Sequence, residues 1–210
     1  MKISYAITVC NELEEIKSLL TFIYSRKREE DEICVLLDKP KASHVLIDEL
    51  YKWSSADKIK LKESSFNNHF ADWKNELNRM CSGDFIFQLD ADELPTEELL
   101  EALPYLVNQE VDIILIPREN TVKGITDEHI QKWNWKLDDF GRINWPDYQW
   151  RFYRNDSSIK WVNKVHERLE GYKLFGFLPD DLKAGPLYIK HPKTIKKQES
   201  QNNYYDTLLK

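Results

Sequence analysis

Apolar residues in the first 118 positions alternate between short runs typical of strands and stripes at helical spacing. The predicted strands cover residues 3–9, 33–37, 59–61, 85–89 and 111–116. The helices predicted between them are marked by Leu13, Ile16, Leu20 and Ile23, by Leu46, Leu50 and Trp53, by Phe70, Trp73, Leu77 and Met80, and by Pro95. The pattern predicts an α/β, Rossmann-like fold with a mostly parallel central sheet flanked by helices on both faces.

Local signals predict where these helices begin, bend or end. Asn11, with Glu14 three residues later, indicates a capping box at the start of the first helix. Gly83 stands where a helix C-terminus favours glycine. Pro95 suits the first position of a helix, and Pro104 predicts a break or kink within that same helix.

Aromatic residues become frequent beyond about residue 120, and five of the seven tryptophans lie between residues 133 and 161. The last twenty residues, from His191, are polar and carry a weak helical stripe at Ile195, Tyr205 and Leu208. No repeat or flexible linker separates the two parts. We therefore predict one domain, 1–210, made of the halves 1–118 and 119–210.

The charge balance argues against two kinds of partner. The 210 residues include 30 Lys and Arg against 36 Asp and Glu, which gives a formal net charge of −6 and a pI near 5.5. Nucleic acids and anionic membrane surfaces normally select a basic footprint, so neither is expected as a whole-surface partner. The three cysteines form no CxxC pair, and the sequence has no secretory signal or long apolar run. These features predict a cytoplasmic protein without a transmembrane segment, either free or peripheral at the inner membrane face.

Two carboxylates follow the predicted strand at residues 85–89. Asp90 and Asp92 are two residues apart, so extended backbone places them on the same side, about 5–7 Å apart. At an effective dielectric near 20 their unpaired charges would repel by about 3 kcal/mol, and a divalent cation such as Mg²⁺ or Mn²⁺ would remove that repulsion. The alternative is a strand-end turn in which a solvated aspartate acts as a cap. Asp38 also ends a predicted strand, so it is expected to share one crevice with this pair.

Four stretches, in their order and spacing, resemble the family 2 glycosyltransferases with the GT-A fold. They are residues 6–12 (AITVCNE), 83–93 (GDFIFQLDADE), 146–154 (PDYQWRFYR) and 165–167 (VHE). The similarity runs from residue 3 to about residue 205 and is greatest to the branch that includes lipopolysaccharide-core glucosyltransferases. The resemblance implies a nucleotide-sugar-binding half at 1–118 and an acceptor-side half at 119–210.

The resemblance also implies a donor site and a metal site. The donor would be a nucleoside-diphosphate sugar, with a UDP-sugar as the first choice, and the metal would be Mn²⁺ or Mg²⁺. The residues assigned to the donor are Thr8, Asn11, Glu12, Asp38, Lys74, Asn75, Asp90 and Arg151. The residues assigned to the metal are Asp90, Asp92 and His191. Lys74, Arg151 or Arg154 would help the metal to stabilise the departing diphosphate, although a solvated surface charge is the favoured interpretation of Lys74.

Glu167 inherits the role of the general base, because His166-Glu167 stands where the family commonly has Glu-Asp. Partial burial beside Trp161 and Val165 is expected to raise the pKa of this carboxyl toward neutrality. His166 is the alternative base, or would orient Glu167, since an imidazole has the better-matched pKa. Direct displacement supported by such a base inverts the anomeric carbon.

Trp133, Trp135 and Trp150 are predicted to wall an acceptor cleft, because aromatic faces stack on sugars. The processive members' Gln-x-x-Arg-Trp signature does not follow the base, so transfer of a single sugar to a hydroxyl acceptor is the leading hypothesis, with glycan or surface polysaccharide synthesis as its setting. A non-catalytic nucleotide-sugar or glycan-binding protein is one alternative. A metal-dependent phosphotransferase or nuclease is another, although the net charge and the lack of a P-loop pattern speak against it.

Overall fold

The computed structural model describes residues 1–107, 110–181 and 185–208. Its strands are β1 (Ile3–Val9), β2 (Glu32–Asp38), β3 (Lys60–Ser64), β4 (Phe85–Asp90), β5 (Leu94–Pro95), β6 (Ile113–Lys123), β7 (Ile143–Arg154), β8 (Lys160–Val162), β9 (Arg168–Glu170), β10 (Phe175–Phe177) and β11 (Ile189–Thr194). Its helices are α1 (Leu13–Tyr24), α2 (His44–Ser55), α3 (Phe70–Asn78), α4 (Glu97–Leu106), α5 (Asp127–Trp133) and α6 (Ile195–Leu208). Within these ranges, no helix has the length and apolar character needed to cross a membrane.

The main sheet has the strand order β3-β2-β1-β4-β7-β6-β11-β5, and β10 also pairs with β6. Strands β1 to β4 are parallel to one another. Strand β7 runs antiparallel to both of its neighbours, β4 and β6, whereas β10 and β11 are parallel to β6. A separate antiparallel pair, β8-β9, lies outside this sheet. The predicted α/β fold with a mostly parallel central sheet is therefore confirmed.

The two faces of the sheet carry separate apolar clusters. Helices α1, α2 and α4 contribute Ile16, Leu46 and Leu99 to one cluster. Helix α3 contributes Trp73 and Leu77 to the other. Because helices cover both faces, apolar side chains are buried on both sides of the central strands, and this burial is the main favourable term in the stability of the fold.

The start of α1 differs from the prediction. The helix begins at Leu13 after Glu12, and no side chain caps it. Asn11 Oδ1 instead accepts a hydrogen bond from the Ser43 backbone N–H (3.0 Å), and Glu12 Oε2 accepts from the Cys10 N–H (2.9 Å). The predicted capping box is wrong because the Asn11 side chain joins the β1–α1 loop to the start of α2.

The start of α4 also differs. Leu94 and Pro95 form β5, which pairs antiparallel with the first residues of β11, and Thr96 Oγ1 caps α4 by accepting from the Leu99 N–H. The predicted helix start at Pro95 is therefore wrong. The helix also continues through Pro104 to Leu106 without the predicted break, and only two helical residues follow the proline.

Gly83 has a different role from the one predicted. Helix α3 ends at Asn78, and Gly83 lies beyond it, outside the left-handed region of backbone conformation. A Cβ atom at Gly83 would lie 2.8 Å from the Ser4 backbone nitrogen and 2.9 Å from the Lys2 carbonyl oxygen. The glycine is needed because its backbone lies so close to β1.

We expect Gly83→Ala to lower the free energy of unfolding by about 1–3 kcal/mol, because backbone atoms of β1 must move to admit the methyl group. Urea denaturation measures the change as a lower midpoint. Gly176→Ala is the matched control, since a Cβ there meets only Val111 Cγ1 at 3.9 Å and should change the midpoint little. Equal midpoints for the two variants would contradict the close-approach explanation.

Candidate active site

A cavity of about 1280 Å³ opens at the carboxyl ends of the central parallel strands. Thr8 at the end of β1 is in register with Asp90 at the end of β4, and Asp38 ends the neighbouring β2. The predicted site residues that line the cavity are Thr8, Glu12, Asp38, Lys74, Asp90, Asp92, Arg151, His166, Glu167 and His191. The prediction that Asp38 and the Asp90–Asp92 pair share one crevice is confirmed.

Two predicted donor residues are not among the lining residues. Asn75 donates a hydrogen bond to the Trp161 carbonyl oxygen (2.8 Å) and accepts one from the Trp161 backbone N–H (3.0 Å). Asn11 holds the Ser43 backbone, as described above. Their amide groups join α3 to β8 and the β1–α1 loop to α2, and their assignment to the donor stays a prediction.

Asp90 is held by a network of neutral and cationic donors. Its Oδ1 accepts from Thr8 Oγ1 (2.9 Å) and Gln88 Nε2 (3.2 Å), and its Oδ2 accepts from Arg151 Nη2 (2.7 Å). The same Arg151 nitrogen donates to Glu93 Oε1 (2.6 Å). Burial by itself would raise the pKa of Asp90, but the Arg151 guanidinium outweighs it and holds that pKa well below its usual range.

Asp92 faces two cationic or potentially cationic groups. Its Oδ2 lies 3.4 Å from His191 Nε2 and 3.3 Å from Lys197 Nζ. Burial favours the neutral acid, but these neighbours overcome it and lower the pKa of Asp92. Asp90 still repels Asp92, but both aspartates have cationic or potentially cationic neighbours in the protein that outweigh this repulsion.

The carboxylate oxygen of Asp92 and the imidazole nitrogen of His191 are placed to act as ligands of a divalent cation. Asn120 Nδ2 donates to Asp147 Oδ2 (2.8 Å), so Asn120 Oδ1 is left to accept from His191 Nδ1–H (2.8 Å). In a neutral imidazole the Nε2 lone pair then faces the carboxylate of Asp92, and a cation between the two satisfies both. One carboxylate and one imidazole are suitable ligands for Mn²⁺, which takes further ligands from phosphate and water.

The three-residue metal set predicted from the sequence is not assembled. Over the described ranges, no three His, Cys, Asp or Glu side chains converge on one point that could hold a metal ion. Asp90 is committed to Thr8, Gln88 and Arg151. Asp92 and His191 are therefore the two candidate ligands that face each other, and the predicted metal role of Asp90 has no support from this arrangement.

Lys74 is not the solvated surface charge that the sequence favoured. Its side chain is buried, its Nζ lies 2.5 Å from Glu167 Oε1, and the same atom is 4.4 Å from the centre of the Trp161 ring. Burial of Glu167 favours its neutral form, yet the Lys74 ammonium dominates and lowers the pKa of Glu167. The expectation of a raised pKa for this carboxyl is wrong in this conformation, because its neighbour is a buried cation.

We expect Lys74→Met to move the acid limb of the pH–rate profile to higher pH. The Lys74 ammonium lowers the pKa of Glu167, so its loss leaves burial to raise that pKa. If Glu167 is the general base that the sequence predicts, the reaction is fast only above that pKa. The measurement is kcat/KM against pH. Lys62→Met is the control, since Lys62 pairs with Glu76 (3.0 Å) and neither residue lines the cavity. An unmoved acid limb would show that Glu167 does not control it.

His166 lies beside Glu167 on the cavity wall. Its backbone is left-handed, with φ of 52°, and its ring centre lies 6.4 Å from that of Tyr205 in α6. His166 and Glu167 both line the cavity, so either side chain has access to a molecule bound there.

Aromatic rings form much of the remaining wall, and they include two of the three predicted tryptophans. Trp135 and Trp150 line the cavity. Trp133 does not, and packs instead on Trp135 with ring centres 4.7 Å apart. Trp133 could contribute to the predicted wall only through its packing on Trp135, and its contact with an acceptor stays a prediction.

Helix α6 contributes to the cavity, which was not predicted from the sequence. The lining residues from this helix and the end of β11 are Lys193, Thr194, Lys196, Lys197, Gln198, Ser200, Gln201, Tyr204 and Tyr205. The predicted helical stripe was confirmed, but it gave no indication that the polar face lies over the strand ends. The run of lysines after His191 was the available signal.

A comparison with models of protein families identifies the family of this chain. The family model described as Glycosyl transferase family 2 matches residues 4–169. A comparison with curated protein sequences finds no significant match.

Among solved structures, the chain is similar to Staphylococcus aureus TarS, with a TM-score of 0.59 and 17% identity over 91% of this chain. It is also similar to TarS 1-349 in complex with UDP-GlcNAc, with a TM-score of 0.59, 16% identity and 92% of this chain covered. The chain spans 37% of the first structure and 59% of the second. Similarity at this level of identity shows the fold, and the family match extends over most of the chain. The chain is a glycosyltransferase domain with the GT-A fold and belongs to glycosyl transferase family 2.

Proposed function

We propose that the protein is an inverting, metal-dependent glycosyltransferase that moves a single sugar from a nucleoside-diphosphate sugar to a hydroxyl acceptor. The observation that carries this proposal is the convergence of Asp38, Asp90, Asp92 and Glu167 on one cavity at the strand ends. This arrangement supports a donor site and a candidate base within reach of the same bound molecule.

The donor's base and ribose would lie against Thr8, Glu12, Asp38 and Asp90. Asp38 is buried, and its Oδ1 accepts from the Phe66 backbone N–H (3.1 Å), so the carboxylate is held in place before a ligand arrives. TarS, a structural neighbour, has been solved in complexes with UDP-GlcNAc and with UDP. That similarity supports a UDP-sugar as the first donor to test here.

Asp92 and His191 would hold the divalent cation. When bound there, the cation would stabilise the negative charge that develops on the departing nucleoside diphosphate. The chain's own contribution is to fix the ligand atoms, since Asn120 orients the His191 ring and Asp147 orients Asn120.

Glu167 would act as the general base for the acceptor hydroxyl, with His166 as the alternative. The hydroxyl oxygen forms the new bond to the anomeric carbon, the bond to the diphosphate oxygen breaks, and the hydroxyl proton passes to the carboxylate. Displacement in one step inverts the anomeric carbon. The ion pair with Lys74 keeps Glu167 deprotonated and ready to accept that proton.

The acceptor would enter along the aromatic wall formed by Trp135 and Trp150. Residues 1–118 would supply Thr8, Glu12, Asp38, Asp90 and Asp92 to the donor side, and residues 119–210 would supply Glu167 and the aromatic wall to the acceptor side. Arg151 and His191 cross this proposed division, because they come from 119–210 but lie with the donor-side groups. Glycan or surface polysaccharide synthesis in the cytoplasm remains the proposed setting.

The test needs no acceptor, because water can replace it. The protein is incubated with a panel of nucleotide sugars with and without Mn²⁺, and proton NMR follows the freed sugar before it mutarotates. We expect metal-dependent hydrolysis that gives the anomer opposite to the donor's. Retained configuration would contradict inversion, and binding without turnover under any metal would favour the non-catalytic alternative.

A further inference from the structure

Most cationic side chains that line the cavity are already neutralised by a carboxylate. The pairs are Arg151 with Asp90 and Glu93, Arg118 with Glu93 and Asp147, Lys74 with Glu167, Lys197 with Asp92 and Glu15, and Lys41 with Asp38. Arg154, another predicted candidate, lies 3.4 Å from Asp112 and does not line the cavity. The groups that the sequence suggested for the departing diphosphate are therefore committed to anions of the protein.

Lys193 stands apart from these pairs. Within the described ranges, no carboxylate oxygen forms an ion pair with its Nζ, which donates instead to the neutral Gln201 Oε1 in α6. The side chain is partly buried and lines the cavity. An ammonium group with a neutral partner retains a full charge to offer to an anion.

The position of Lys193 follows from the alternation of β11. Ile189, His191 and Lys193 share one face of the strand, whereas Lys190 and Pro192 lie on the exposed face. Lys193 is therefore the next residue after His191 on the side that faces the cavity. An anion that His191 and Asp92 would hold through a cation is therefore expected on the face of β11 that carries Lys193.

We propose that Lys193 Nζ binds the diphosphate of the donor and stabilises the nucleoside diphosphate as it leaves. The inference rests on the proposed function and names the residue that supplies the unpaired positive charge. As the bond between the anomeric carbon and the diphosphate oxygen breaks, its electron pair stays on that oxygen, and the ammonium exchanges Gln201 Oε1 for a phosphate oxygen.

The neighbouring lysines fit this role less well. Lys197 Nζ already lies 3.3 Å from Asp92 Oδ2 and 3.6 Å from Glu15 Oε1. Lys196 lines the cavity but is exposed, so water screens its charge. Lys193 combines partial burial with a neutral partner, and such a charge binds a phosphate more strongly.

The test compares the affinities of UDP and uridine in the presence of Mn²⁺. We expect Lys193→Met to weaken UDP binding by about 10- to 100-fold, measured by titration calorimetry, because one charge-assisted hydrogen bond is lost. Uridine binding, measured by ligand-observed NMR, should be unchanged, and Lys193→Arg should keep UDP affinity within a few fold. Lys190→Met is the matched control, since Lys190 is on the opposite face of the same strand.

The outcomes separate this inference from the proposed function. Unchanged UDP affinity in Lys193→Met, or an equal loss for uridine, would overturn the role of Lys193 and leave the proposed function standing. If the wild-type protein binds neither UDP nor GDP with Mn²⁺, the proposed function itself fails and this inference fails with it.

Discussion

Replacing Asp92 with Asn is expected to lower sugar transfer by about 10²- to 10³-fold, because the carboxylate that would hold the cation is lost. Asp92 Oδ2 faces His191 Nε2 at 3.4 Å, and an amide at this place keeps the shape but is a poor ligand for a hard divalent ion. Titration of the variant with Mn²⁺, followed by the electron paramagnetic resonance of the free ion, should show a matching loss of metal affinity.

Asp48→Asn is the control for this variant. Asp48 is exposed on α2, does not line the cavity and undergoes the same chemical change. We expect it to keep wild-type transfer and Mn²⁺ affinity. Full Mn²⁺-dependent activity in Asp92→Asn would place the metal elsewhere or remove it from the reaction.

Replacing Glu167 with Gln is expected to lower transfer by about 10²- to 10⁴-fold while the donor still binds, because the substitution removes a proton acceptor and little else. Donor affinity should stay near the wild-type value, since Glu167 is assigned to the acceptor hydroxyl and not to the nucleotide. Calorimetry with the nucleotide sugar and a transfer assay under the same conditions measure the two effects separately.

Two further variants make this result specific. Glu170→Gln removes a carboxylate on β9 that pairs with Arg168 (2.7 Å) outside the cavity, and it should keep full activity. His166→Asn retains a residue type that tolerates the left-handed backbone at this position. If Glu167→Gln remains fully active and His166→Asn does not, the base is His166.

The strands of the parallel core were predictable because burial on both faces makes them apolar at nearly every position. The run from Ile33 to Leu37 is one example, and β2 extends it by one residue at each end. The shared crevice was also predictable, because the carboxyl ends of neighbouring parallel strands lie at one edge of the sheet. Pro95 and Asn11 were interpreted wrongly because their partners, β11 and Ser43, are far away in the sequence.

The environment of the charged residues was the least predictable part of the site. A lone Lys74 in an amphipathic helix gives no sign that Glu167, 93 residues later, will lie 2.5 Å from its ammonium group. The sequence likewise gives no sign that Arg151 will be buried and form ion pairs with Asp90 and Glu93. Because a pKa depends on such tertiary partners, the residue types could be predicted from the sequence but the direction of the Glu167 shift could not.

The most direct test of the central claim is a crystal structure of the protein with Mn²⁺ and UDP, with data collected for the anomalous signal of manganese. We predict an anomalous peak between Asp92 and His191, with the diphosphate bound to the same ion and its uridine beside Asp38. A nucleotide bound elsewhere, or a diphosphate in the cavity with no manganese at Asp92 and His191, would contradict it.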